Sequence, residues 1–319
     1  MKTKKIIAVA GATGAQGGGL VRAIMNDPNT EFTVRALTRN KHSEKAQSLN
    51  ALGAEVVEAD LDDVESLKQA FKGAHCAFCV TFFWEHMSPE KELKQAENMA
   101  EAARSTGIKH VVWSTLEDTR NWMSLDDKRM PTLMSKYKVP HTDAKGESNR
   151  FFIEKGIPTT FLLTSFYWDN FIDFGMGPQP GPDGRLVITF PMGDKKLPGI
   201  AAEDIGKCVY TLFNKGDEYI GKTVGVAGEH LTGHQMADSF SRTLGVDVLY
   251  NEITPEEYRG LGFPGAEDLG NMFQFKRDFN EEFCKARDLK LSKKLNLELQ
   301  TFDQWLAKNK SLIVIPKVA

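Results

Sequence analysis

The stretch that most constrains this chain is Gly11-Ala12-Thr13-Gly14-Ala15-Gln16-Gly17-Gly18-Gly19. An apolar run, residues 6–10, precedes it, and a helical pattern of Leu20, Val21, Ile24 and Met25 follows. The order reads as a strand, a tight turn and a helix start. Glycines in such a turn take backbone angles that a side chain forbids, and they let the main chain approach a pyrophosphate on the helix N-terminus. A glycine-rich turn occurs in other α/β domains too. Its place between a first strand and a first helix is what points to a dinucleotide site, with residues 11–17 as the contact segment.

Downstream, strand-like and helix-like patterns alternate. Residues 32–38 read as a strand, 43–52 as a polar helix and 55–59 as a strand, and a helix follows through Val64, Leu67 and Phe71. Then come a strand at 76–80, a long helix at 90–106 and a strand at 110–114. This βαβ alternation predicts a parallel, doubly wound sheet with helices on both faces, whose ligand collects at the strand ends. At 319 residues the chain exceeds the usual size of one core, so an appended region or second domain is expected.

The second strand closes on Thr38-Arg39-Asn40-Lys41-His42, without the acid that a NAD-preferring site places on the ribose. Arg39 instead suits a 2'-phosphate, with Asn40, Lys41 and His42 beside it, so the expected cofactor is NADP(H); the alternative is that Arg39 is a solvated loop charge. After the third strand stand Asp60-Leu61-Asp62-Asp63. Asp60, with Leu61, is expected at the adenine, and Asp62 as the cap of the next helix. The fourth strand ends in Thr81-Phe82-Phe83-Trp84, either core or an apolar wall beside the ribose and nicotinamide. Past the fifth strand the chain turns irregular around Pro131 and Pro140, then a helical pattern carries His141 and Lys145 four apart, on one face if both are helical.

Several classes are disfavoured. A formal charge of -3 gives no reason to expect nucleic acid or an acidic membrane as a partner. The basic start, Met1 to Lys5, is followed by too short an apolar run for a signal peptide or a spanning helix. Four cysteines fit a reducing, cytoplasmic setting better than a disulfide framework. Cys76 and Cys79 lie on a buried-strand pattern facing opposite sides, a poor metal or redox pair, and no metal is expected.

The turn Gly11 to Gly17, the basic second-strand end, Asp60 and the lysine on the helix after the fifth strand resemble the atypical short-chain dehydrogenase/reductases. The strings Thr254-Pro-Glu-Glu-Tyr-Arg-Gly-Leu-Gly-Phe-Pro-Gly-Ala266, Asp268-Leu-Gly-Asn-Met-Phe273 and Phe302-Asp-Gln-Trp-Leu306 are similar to the NmrA-like family, its redox-sensor branch in particular, over nearly the whole chain. The resemblance implies a Rossmann-type doubly wound parallel sheet, residues 1–155, and a smaller C-terminal α/β region, residues 156–319, interleaved with it. It implies that Lys94, otherwise a solvated helix lysine, contacts the cofactor, and that Tyr167-Trp168-Asp169-Asn170 close over the nicotinamide. It also places His141 where ordinary members of the superfamily carry a catalytic tyrosine, four residues before Lys145. An imidazole can donate a proton but is shorter than a phenol, and His141 is equally readable as a loop residue beside Pro140.

Two functions follow. One is a regulator that reads NADP(H) occupancy and signals through a protein partner or a homodimer. The other is an NADPH-dependent reductase of quinones or small carbonyl compounds, with Lys145 and His141 as catalytic residues and Phe83, Tyr167 and Trp168 lining the pocket. In the remaining chain, residues 178–184 read as a turn before a strand at 185–190, 202–213 as a helix with acids at its start, and 222–227 as a strand. Residues 232–244 read as a helix capped by Thr232 and 246–253 as a strand, while Phe263, Met272, Phe273 and Phe275 form an aromatic segment for core packing or a partner surface.

Overall fold

The computed structural model describes residues 3–181 and 183–316. Met1 and Lys2 of the basic start and Pro182 of the turn at 178–184 lie outside them. The chain forms two compact units, each assembled from three segments. The first comprises residues 1–118, 141–164 and 202–224; the second comprises 119–140, 165–201 and 225–319.

The first unit opens with strand β1 (Lys5–Val9), helix α1 (Ala15–Met25), β2 (Phe32–Thr38), α2 (Glu44–Ala51), β3 (Glu55–Glu58) and α3 (Val64–Phe71). It continues through β4 (Cys76–Cys79), α4 (Pro89–Thr106), β5 (His110–Thr115), α5 (Pro140–Glu154) and β6 (Thr159–Leu163). From β3 to β6 the sheet order is β3-β2-β1-β4-β5-β6, all parallel, with Thr223–Gly225 beside β6. The order reverses direction at β1 and β4, and a doubly wound sheet opens its ligand crevice where that happens. β4 and β5 are buried at every position, as central parallel strands require. Cys76 and Cys79 lie in this core, where burial pushes the Cys76 thiol up to about 12 and that of Cys79 higher still.

Glycine sets the helix packing here. A Cβ on Gly206, in the helix Ala202–Asn214, would stand 2.1 Å from the Leu20 amide nitrogen, and one on Gly19 2.9 Å from the Glu203 carbonyl oxygen. The backbones of α1 and that helix therefore touch where no side chain fits.

The cap of α3 differs from the sequence expectation. Asp63, not Asp62, accepts the amides of Glu65 and Ser66. Asp60 is spent on a tight turn, its Oδ1 accepting the Asp62 amide, which leaves the third acid in register with the helix start.

The second unit holds two three-stranded sheets. Leu197–Ile200 pairs with Phe166–Tyr167 and Glu229–Leu231. Leu186–Phe190 pairs with Val248–Glu252 and, antiparallel, with Gln179–Pro180. The expected strand at 222–227 is only Thr223–Gly225. Beyond it the Ala227 amide donates to Ser292 Oγ instead of to a neighbouring strand. Thr232 caps Gly233–Leu244 with a full capping box. Met272, Phe273 and Phe275, on the helix Ala266–Asp278, are buried in an aromatic core with Phe166, Phe171, Phe190, Phe240 and Phe302, whereas Phe263 is exposed. Among the described residues no helix is long and apolar enough to cross a membrane.

Candidate dinucleotide site

The turn after β1 has the shape that its glycines predict. Gly11 adopts φ +62°, a left-handed conformation. The Gly14 amide donates to the Gly11 carbonyl at 2.9 Å, and a Cβ on Gly17 would stand 2.4 Å from that same oxygen. Gly14 caps α1 with no side-chain bond, and the first helical turn contains no acid. The helix therefore turns its N-terminus, the positive end of its dipole, toward the turn with no acid of its own beside it, a fitting seat for an anion. Ala12 is buried, and Gln16 is fixed by Ser114 Oγ at the end of β5, which donates to its Oε1 at 2.8 Å.

Around the turn stand the other strand ends. Arg39 forms a short ion pair with Glu85, in the 3-10 turn Phe83–Glu85 after β4. Asn40 accepts the His42 amide through its side chain, and Lys41 lies 3.9 Å from Glu58. Asp62 is held by Lys91 Nζ and Gln95 Nε2, both at 2.9 Å, and the Leu61 carbonyl accepts Asn98 Nδ2. Lys94, on α4, is exposed and pairs with Glu97 at 2.9 Å. Phe82 is 54% exposed, whereas Phe83 is buried against Trp84, His86 and His141.

The densest chemistry surrounds Lys145. Its Nζ lies 2.6 Å from Glu92 Oε1 and donates to Thr81 Oγ1 at 2.5 Å and to the Thr81 carbonyl at 3.1 Å. Thr81 in turn donates to Glu92 through a short hydrogen bond, closing a ring of three. His86 Nε2 stands 3.5 Å from the other Glu92 oxygen. Its Nδ1 accepts the Ser88 amide, so Nε2 is the protonated nitrogen of the neutral ring and faces the carboxylate. Burial alone would push the Glu92 carboxyl up; the Lys145 charge, with His86 beside the carboxylate and hydrogen bonds from Lys145 and Thr81, holds it down at about 2.

Helix α5 reaches this ring through a close backbone approach. Thr115 Oγ1 donates to the Lys145 carbonyl at 3.0 Å, and a Cβ on Gly146 would stand 2.4 Å from the Asp118 amide nitrogen. His141 and Lys145 are both helical. The His141 ring is 5% exposed and packs 4.9 Å from the Trp84 ring, centroid to centroid.

The structure thus brings together, at one edge of one sheet, the turn at 11–17, Arg39, Thr81, Phe83, His141 and Lys145. Tyr167, Trp168, Asp169 and Asn170 belong to the other unit. There Trp168 is 1% exposed, with Phe302 and Trp305 against its ring, and the missing Cβ atoms of Gly199 and Gly228 make room for its indole. Tyr167, Asp169 and Asn170 are half-buried.

Glu92, His86 and Glu85 are site residues that sequence reasoning missed. Glu92 left a readable trace. It shares the buried helical stripe of Ala96, Met99, Ala100 and Ala103, and a carboxylate on such a stripe needs a buried partner.

Comparison with known proteins agrees with this architecture. An NmrA-like family domain-containing protein of Dictyostelium discoideum is 30% identical over 80% of this chain and 82% of its own length. An NmrA-like family domain-containing oxidoreductase of Aspergillus campestris is 28% identical over 95% of this chain and 96% of its own. The negative transcriptional regulator NmrA, crystallised with NADP, superimposes with a TM-score of 0.78 at 24% identity, covering 96% of this chain and 95% of NmrA, and a further crystal of it holds NAD. The model of the NmrA-like family matches residues 3–306, and the chain belongs to that family.

Proposed function

We propose that this chain binds NADP(H) at the strand ends of its first unit and acts as a redox sensor, in which occupancy rather than turnover is the output. The Gly17 approach to Gly11 and the acid-free start of α1 fit a pyrophosphate, and Arg39 fits a 2'-phosphate. Lys145 is positioned for the nicotinamide ribose hydroxyls, with Asp60 toward the adenine and Phe82 and Phe83 beside the sugar. Lys94 is a further cofactor contact in this proposal. A cytoplasmic location, where the cysteines stay reduced, belongs to it as well.

The observation that carries the sensor reading is His141. Where a reductase of this superfamily needs a phenol, this chain has a shorter ring packed against Trp84 and Phe83. A regulator also needs a partner, protein or second copy, with different affinity for the loaded and empty forms, since equal affinity shifts nothing. The naming of NmrA as a transcriptional regulator supports this class.

An NADPH-dependent reductase of quinones or small carbonyl compounds is the second reading. The ammonium of Lys145, held by Glu92, favours it, as does the naming of relatives as oxidoreductases. The bound cofactor would supply the hydride, while Lys145 would orient the ribose and His141 would hold a proton at Nε2 or Nδ1. Purified protein mixed with NADPH and a panel of quinones, aldehydes and ketones separates the two, with binding followed by fluorescence and consumption by absorbance. Tight binding without consumption is the expected result. Steady consumption of NADPH that requires the quinone, aldehyde or ketone would replace the sensor by an enzyme.

A further inference from the structure

Arg39 is the cation offered to a 2'-phosphate, yet it already has an anion. Its guanidinium is paired with Glu85, and both side chains are largely exposed, 64% and 45%. Asp60 and Asp62 add negative charge nearby, but among them only Glu85 makes contact. An incoming 2'-phosphate would need the same N–H groups that Glu85 occupies, and would approach a carboxylate of its own sign. NADH carries a hydroxyl there and leaves the pair intact.

The geometry points to Glu85 as an intramolecular competitor for the 2'-phosphate, a specificity-determining residue that lowers the preference for NADP(H) over NAD(H). The inference rests on the assignment of Arg39 to the 2'-phosphate. The placement of Glu85 is local and firm: its amide donates to the Phe82 carbonyl at 3.2 Å, and the amides of His86 and Met87 both donate to the Phe83 carbonyl. Met87 holds φ +50°, which fixes the return of the chain toward α4. The main chain at Glu85 is thereby fixed, and from it the carboxylate reaches Arg39 at the end of β2. The next residue of the same turn, His86, faces Glu92 and so the Lys145 ring.

The test is the ratio of NADPH to NADH dissociation constants, measured by fluorescence for the full-length wild type, Glu85→Gln, Arg39→Gln and the control Glu65→Gln. The control removes one exposed charge elsewhere in the unit, where Glu65 pairs with Lys68. Because an exposed pair is a weak competitor, Glu85→Gln should tighten NADPH about two- to fivefold and leave NADH and the control unchanged. An unchanged ratio, or a ratio shifted toward NADH, overturns the inference; the latter would make Glu85 an aligner of Arg39. If Arg39→Gln leaves NADPH affinity unchanged, the phosphate assignment falls first and the inference with it. If Arg39→Gln weakens NADPH while Glu85→Gln changes nothing, only the inference falls.

Discussion

Two ion pairs sit at the same edge of the sheet, and water treats them differently. Lys145 and Glu92 are 11% and 0% exposed, and the carboxylate has Thr81 and His86 around it. Arg39 and Glu85 stand mostly in solvent. In the buried pair each charge is needed by the other, because neither could be left alone without a large desolvation cost. In the exposed pair, water can replace either partner. The site therefore joins a fixed centre at the Lys145 end to an exchangeable one at the Arg39 end. On the sensor reading proposed above, this division would let one part hold its shape while the other changes partner.

The largest effect should come from breaking the fixed centre. Glu92→Ala leaves the Lys145 ammonium buried and uncompensated, and it is expected to lower unfolding free energy by about 3–5 kcal/mol. Denaturant titration reads this directly, and the double variant Lys145→Met with Glu92→Leu should recover most of the loss, since a packed apolar pair carries no desolvation cost. A double variant as unstable as Glu92→Ala would mean that the pair is not held by mutual charge.

Acid should dissolve the same centre. The folded carboxyl of Glu92 lies at about 2, below its ordinary 4.5, so the unfolded chain takes up the proton more readily. Its contribution is complete above pH 4.5 and is lost as pH falls through about 2, on the order of 3 kcal/mol in all. Glu92→Gln should flatten that part of the stability profile between pH 4.5 and 2. An unchanged slope there would assign the acid sensitivity to other carboxylates.

What the sequence made legible follows the same line between local and distant causes. The turn at Gly11 to Gly17 could be read because its demands are local: a positive φ, a Cβ-free approach and a helix start lie within nine residues. The Thr232 cap and the β1 to β6 alternation were readable for similar reasons. The acid that fixes Lys145 was harder, because partner and lysine come from different helices and meet only in the folded sheet. Asp63 makes the cap expected of Asp62 because three acids within four residues look alike until the turn geometry selects one. In the second unit, strands of two to four residues, such as Phe166–Tyr167 and Glu229–Leu231, are too short to show an alternating pattern. The burial of Trp168 depends on Gly199 and Gly228, glycines well apart from it in the chain.

The smallest effect should be found at the exchangeable centre, and its smallness is what the comparison requires. A double-mutant cycle of Arg39→Gln and Glu85→Gln, read as unfolding free energy without nucleotide, should give a coupling of about 0.2–1 kcal/mol that disappears at about 1 M salt. The corresponding cycle across Lys145 and Glu92 should give a larger value that salt barely changes, because the pair is shielded from ions. A coupling at Arg39 as large and as salt-resistant as the one at Lys145 would mean that Glu85 does not release its partner. The Arg39 end would then be as rigid as the other, and a 2'-phosphate would have to bind beside the pair instead of through it.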